Sequence, residues 1–157
     1  MPTIVYEAVL MRDYLVDQTP ALTGDEVWSY IAVLTRLAAL DGVTVDEARF
    51  VDRVGASLGL SPDAARNAHR IVADPSVPTE KLVERIRDRG MRLCLLRDAY
   101  LLATTDDRVT DSELRELTSI AGALGIAHQT AAEVRSVALE ETRLQREFAR
   151  LVREARA

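Results

Sequence analysis

One stretch of this chain occurs twice, and the repetition limits what it can fold into. The first copy is Asp41-Gly42-Val43-Thr44-Val45-Asp46-Glu47, followed by a helical pattern that ends Leu58-Gly59-Leu60. The second is Asp106-Asp107-Arg108-Val109-Thr110-Asp111-Ser112-Glu113, with a pattern that ends Leu124-Gly125-Ile126. A single shift of 66 residues brings Asp107 onto Asp41, Thr110 onto Thr44, Glu113 onto Glu47 and Gly125 onto Gly59. An internal repeat of this kind is the starting point for any fold built on it. Thr-x-x-Glu is a capping box: the hydroxyl accepts from a free amide of the first turn, and the glutamate reaches back to the cap's own N–H. Glycine after the last apolar residue is the usual left-handed helix stop. Each copy therefore spells turn, helix start, helix and stop.

The rest of the chain reads as helices. Apolar residues recur at helical spacing from Ile4 to Val16, and Gln18 to Leu22 breaks that pattern. Thr23 and Glu26 form a further capping box, opening a helix to about Leu40 whose apolar residues fall on nearly all sides. Ser61-Pro62 opens a short helix to about Val72. Thr79 is expected to cap a helix ending near Gly90, and Met91 to about Thr104 forms a second helix with little polar surface. The last helix runs from about His128 to near Arg153. No stretch alternates as a strand would. The expected fold is an all-α bundle of about seven or eight helices in a single domain over 1–157. It is built from two pseudo-repeats, about 24–72 and 91–153, around two central apolar helices.

Composition narrows the function classes. The formal net charge is −5, against the basic field of a nucleic-acid binder, so no nucleic-acid partner is expected. Of the 20 basic residues only Lys81 is lysine, a bias that a genome's composition explains better than function does. Cys94 is the one cysteine, so no intramolecular disulfide can form. The longest apolar runs are too short or too interrupted to span a bilayer, and the first residues lack a signal-peptide pattern. A cytoplasmic protein without a transmembrane segment is expected, with peripheral membrane contact left open.

The candidate chemistry lies in the acidic turns. Asp41, Glu47, Asp106, Asp107 and Glu113 carry oxygen ligands suited to a hard divalent cation such as calcium or magnesium. A structural reading stands beside this one: the glutamates are explained by capping and the aspartates by turn formation. Neither copy meets the EF-hand pattern. His69 and His128 form no paired zinc motif, Cys94 lies in the most apolar helix, and no phosphate loop or nucleophile elbow is present, so no enzyme is expected. On the last helix Arg143, Arg146, Arg150 and Arg153 form a basic stripe, partly neutralised by Glu147 and Glu154. Leu144, Phe148 and Leu151 form an apolar edge that either closes the core or meets a partner, including a second copy of the chain.

At the two turns the chain resembles the TerB-like family, which includes the tellurite-resistance protein TerB and the N-terminal region of DjlA-type co-chaperones. The resemblance covers roughly Trp28 to Val137. It rests on Leu40-Asp41-Gly42, Thr44, Asp46-Glu47, Leu58-Gly59-Leu60 and Ser61-Pro62, and on Asp106-Asp107, Val109-Thr110, Glu113 and Leu124-Gly125-Ile126. The first turn is one residue shorter than the family spacing, and the second lacks glycine after its aspartate. The resemblance implies an all-α fold and divalent-cation binding by acidic residues around the turns. It also implies a role in tellurite resistance, stress responses or membrane-linked complexes through protein contacts.

Overall fold

A computed structural model of the chain describes residues 24–63, 76–105 and 109–157. Six helices lie within them: α1 Gly24–Ala38, α2 Val45–Ser57, α3 Thr79–Val83, α4 Arg89–Ala103, α5 Asp111–Ala123 and α6 His128–Arg156. Among the described residues there is no strand, so the chain is all-α as expected. Six helices fall short of the expected seven or eight. The helix expected over 4–16, and most of the one expected from Ser61 to Val72, lie outside the described residues.

The two helices expected to be central are so. On α1, Val27, Tyr30, Ile31, Ala32, Val33, Leu34, Leu37 and Ala38 are all buried, and on α4 so are Met91, Leu95, Leu96, Ala99, Leu101, Leu102 and Ala103. A helix apolar on nearly all sides can only be accommodated by surrounding it with others. α1 packs on α2, α3 and α4, whereas α4 also carries α5 and the long α6. Leu117 and Ile120 of α5, Leu124 at its C-cap, and Phe50, Val51 and Val54 of α2 close the core from the outside.

The segment between α3 and α4 departs from expectation. Pro78, not Thr79, occupies the N-cap of α3, and α3 is only five residues long. The Thr79 hydroxyl instead donates to Glu116 of α5 at 2.7 Å, and Arg36 of α1 donates to the same hydroxyl at 3.5 Å. α4 begins at Arg89, with Asp88 as its cap accepting from the Met91 N–H at 2.8 Å. Gly90 is therefore no stop. A Cβ there would lie 3.1 Å from Asp88 Oδ1, so glycine leaves room for the cap.

A charged group sits at the centre of this apolar interior. Asp98 of α4 is fully buried. It accepts the Tyr30 hydroxyl of α1 at 2.5 Å and two hydrogen bonds from Arg97, at 3.0 and 3.2 Å. Burial pushes the Asp98 carboxyl up from its ordinary value, opposed by the Arg97 charge and by the hydrogen bonds. Glu141 of α6 also feels Arg97, and its carboxyl too is raised, chiefly by burial. The network thus ties α1 to α4 through a short hydrogen bond and extends electrostatically to α6.

Tyr30 gives this network a pH signature. Burial first, then the Asp98 charge, raise its phenol well above the usual value of 10.0. The unfolded chain loses that proton near pH 10 while the folded chain keeps it. Stability is therefore complete below that pH and falls as pH rises from about 10 toward the folded value, at about 1.4 kcal/mol per pH unit. Alkaline denaturation followed by circular dichroism, with phenolate absorbance read in parallel, should show Tyr30 ionising only as the protein unfolds. Tyr30→Phe should remove that part of the alkaline loss and cost about 1–3 kcal/mol at neutral pH, because Asp98 loses a donor. A Tyr30 that titrates in the folded protein near pH 10 would contradict the assignment.

Candidate functional site

The repeated turns carry the same local geometry twice. Thr44 and Thr110 both adopt φ −80 and ψ 163 as N-caps of α2 and α5. The Thr44 N–H donates to Glu47 Oε2 at 2.8 Å, and the Glu47 N–H donates to Thr44 Oγ1 at 3.2 Å. The corresponding distances for Thr110 and Glu113 are 2.7 and 3.2 Å. At the other end of each helix the stop is also shared. Gly59 has φ 78 and Gly125 has φ 67. Leu60 N–H reaches back to the Gly55 carbonyl at 2.9 Å and Ile126 N–H to the Ala121 carbonyl at 3.1 Å, which closes a Schellman motif in each case.

The two turns meet. The Thr110 hydroxyl donates to Asp41 Oδ2 at 2.5 Å, a contact between residues 69 apart in sequence. Thr110 Oγ1 therefore does two things at once: it accepts from the first turn of α5 and donates to the carboxylate at the end of α1. Asp41 is exposed and follows the last turn of α1, where Gly42 at φ 90 redirects the chain toward Thr44.

The sequence-predicted site residues therefore divide. Glu47 and Glu113 are buried, 4% and 6% exposed, and each spends a carboxylate oxygen on its cap. Asp41 stands exposed at the junction of the two turns, its Oδ2 accepting from Thr110. Asp106 and Asp107 lie outside the described residues. A hard cation takes six to eight oxygens or a near-octahedral set. Among the described residues no group of three or more His, Cys, Asp or Glu side chains is placed to hold a metal ion. The described acidic side chains alone thus form no cluster of that kind.

The other candidates are quiet. Cys94 is half-buried, and burial pushes its thiol up from the ordinary value, the opposite of what a nucleophile needs. His128 is the exposed first residue of α6, and His69 lies outside the described residues. The Tyr30–Asp98–Arg97 cluster was not anticipated as a unit. Its one signal in the sequence is Arg97-Asp98 interrupting an otherwise apolar run of α4. Comparison of the chain with family models, with curated proteins and with solved structures finds no match.

Among the described residues Thr110 serves two partners and Thr44 one, which orders their substitutions. Thr44→Ala should lower stability by about 1 kcal/mol, the usual worth of a cap. Thr110→Ala should cost more, by roughly a further 0.5–1.5 kcal/mol for the lost bond to Asp41. Urea unfolding of the two variants, with Asp41→Asn as a third, measures the order. Equal losses for Thr44→Ala and Thr110→Ala would show that the bond to Asp41 contributes nothing.

Proposed function

We propose that this chain is a TerB-like, non-enzymatic binding module of stress, tellurite-resistance or metal-response assemblies. In this reading it is a cytoplasmic module built from two repeats and acts through protein contacts. The observation that carries the reading is the hydrogen bond from Thr110 to Asp41. It brings the two acidic turns together, as a function shared between them requires. The matched capping boxes and glycine stops support the two-repeat arrangement.

The reading includes a divalent cation, calcium or magnesium, at the joined turns. Asp41 is its ligand from the first turn, and Asp106 and Asp107 are its ligands from the second. Glu47 and Glu113 shape the turns rather than ligate, because their carboxylates are committed to the caps. Calorimetric titration with calcium and with magnesium tests this directly. One binding event is expected, abolished by Asp41→Ala and by Asp106→Ala combined with Asp107→Ala. Absence of heat at millimolar metal, or binding untouched by these substitutions, would sink the cation part of the reading.

A second reading, a metal-free interaction module that self-associates through α6, is favoured by a separate observation. Leu144, Phe148 and Leu151 are 53%, 53% and 49% exposed, with Val137 two turns further back at 55%. Their spacing places all four on one face of α6. Light scattering across a concentration series should then show a mass above 17.4 kDa that Phe148→Glu returns to the monomer value. A wild-type chain that stays monomeric throughout would remove this reading.

A further inference from the structure

The basic stripe of α6 does not simply face solvent. Arg143, Arg146, Arg150 and Arg153 line a cleft of about 530 Å3, whose opposite wall comes from the end of α4 and the start of the α5 turn, at Thr104 and Val109. The three- and four-residue spacing puts the guanidiniums in a row along roughly 15 Å of helix. Arg146 is held in place there, since its Nη2 donates to the Thr104 carbonyl at 3.0 Å. Arg153 is exposed and makes no ion pair among the described residues.

Among the described residues one carboxylate, Glu147, shares the wall with the four guanidiniums. Arg150 pairs with Glu147 at 2.6 Å and with Glu154 at 2.5 Å, and Arg143 pairs with Glu140 at 2.6 Å. These pairs are exposed and lie within one helix, a class of ion pair that contributes little net stability. A ligand offering several bidentate acceptors can replace them at small cost, because a guanidinium binds phosphate through two parallel N–H···O bonds. Leu139 and Val109 add apolar surface at the cleft, 45% and 37% exposed.

We propose that this cleft binds a polyphosphorylated small molecule with an apolar body. The volume suits a small ligand rather than a folded partner. A row of closely spaced guanidiniums calls for dense negative charge, which a chain of phosphates supplies better than isolated carboxylates. The apolar pair accounts for an organic body beside the phosphates. The cleft adjoins the second acidic turn through Val109 but does not include Asp41, so Asp41→Ala separates its fate from that of the cation reading.

The test is calorimetric titration of the full chain with metal-free ATP, tripolyphosphate, orthophosphate and a hexaglutamate peptide at low ionic strength. ATP and tripolyphosphate should bind, ATP more tightly, and both should weaken as salt is raised. Arg150→Gln combined with Arg153→Gln should weaken ATP at least about tenfold, the loss expected for one or more charge-assisted bonds. Leu139→Ala should weaken ATP without changing tripolyphosphate. Asp41→Ala should leave both unchanged. Circular dichroism of each variant confirms that the helices persist. No binding of either polyphosphate at millimolar concentration, the same ATP affinity in the double variant, or tighter binding of hexaglutamate than of ATP would each overturn the proposal.

Discussion

Asp98 has no access to water, so its charge must be met inside the protein. Removing a carboxylate from water is costly unless it is paired and its lone pairs are filled. Arg97 supplies the pairing from the neighbouring position on α4, and Tyr30 supplies the third hydrogen bond from α1. The bond to Tyr30 specifies the register of the two central helices as apolar contacts alone do not. A Leu slid past a Leu finds another apolar neighbour; a buried carboxylate displaced from its donor finds none. Everything packed around α1 and α4 inherits that registration, including the closing contacts of α2 and α5.

The acidic turns illustrate how far structural work can absorb residues that look chemical. Glutamate three residues after threonine satisfies backbone donors that would otherwise be buried without partners. Once Glu47 and Glu113 are committed in this way, their burial follows, and a ligand role would require dismantling the helix starts. Asp41 is different, because its contact is with another part of the chain rather than with its own helix. The functional interest of the turns is concentrated on that junction.

Much of the helical layout was legible because its signals are local. Capping boxes at Thr44 and Thr110, glycine stops at Gly59 and Gly125, and the two all-round apolar segments each act within a few residues. The errors arose where a local signal had two meanings. Gly90 reads as a stop, yet it is the small residue that admits the Asp88 cap. Thr79 reads as a cap, yet Glu116 of a distant helix competes for its hydroxyl. Leu114 has the spacing of a core residue but is 40% exposed. The junction of Asp41 with Thr110 and the bond of Tyr30 to Asp98 span 69 and 68 residues. No periodicity encodes such distances; only the packed fold brings those groups together.

The long last helix has a consequence of its own. Of its 29 residues only Ala131 and Ala138 are buried. Two small side chains, seven residues apart, let α6 lie close against α4 while asking almost nothing of its remaining surface. Apart from Glu141, which senses the Arg97 charge, and Thr142 and Arg146, which hold Thr104, the polar side chains of α6 stay out of the interior. Substitutions along its outer faces can recast charge, apolar area or length without disturbing the helices beneath, and the same scaffold can change what it recognises while keeping its architecture.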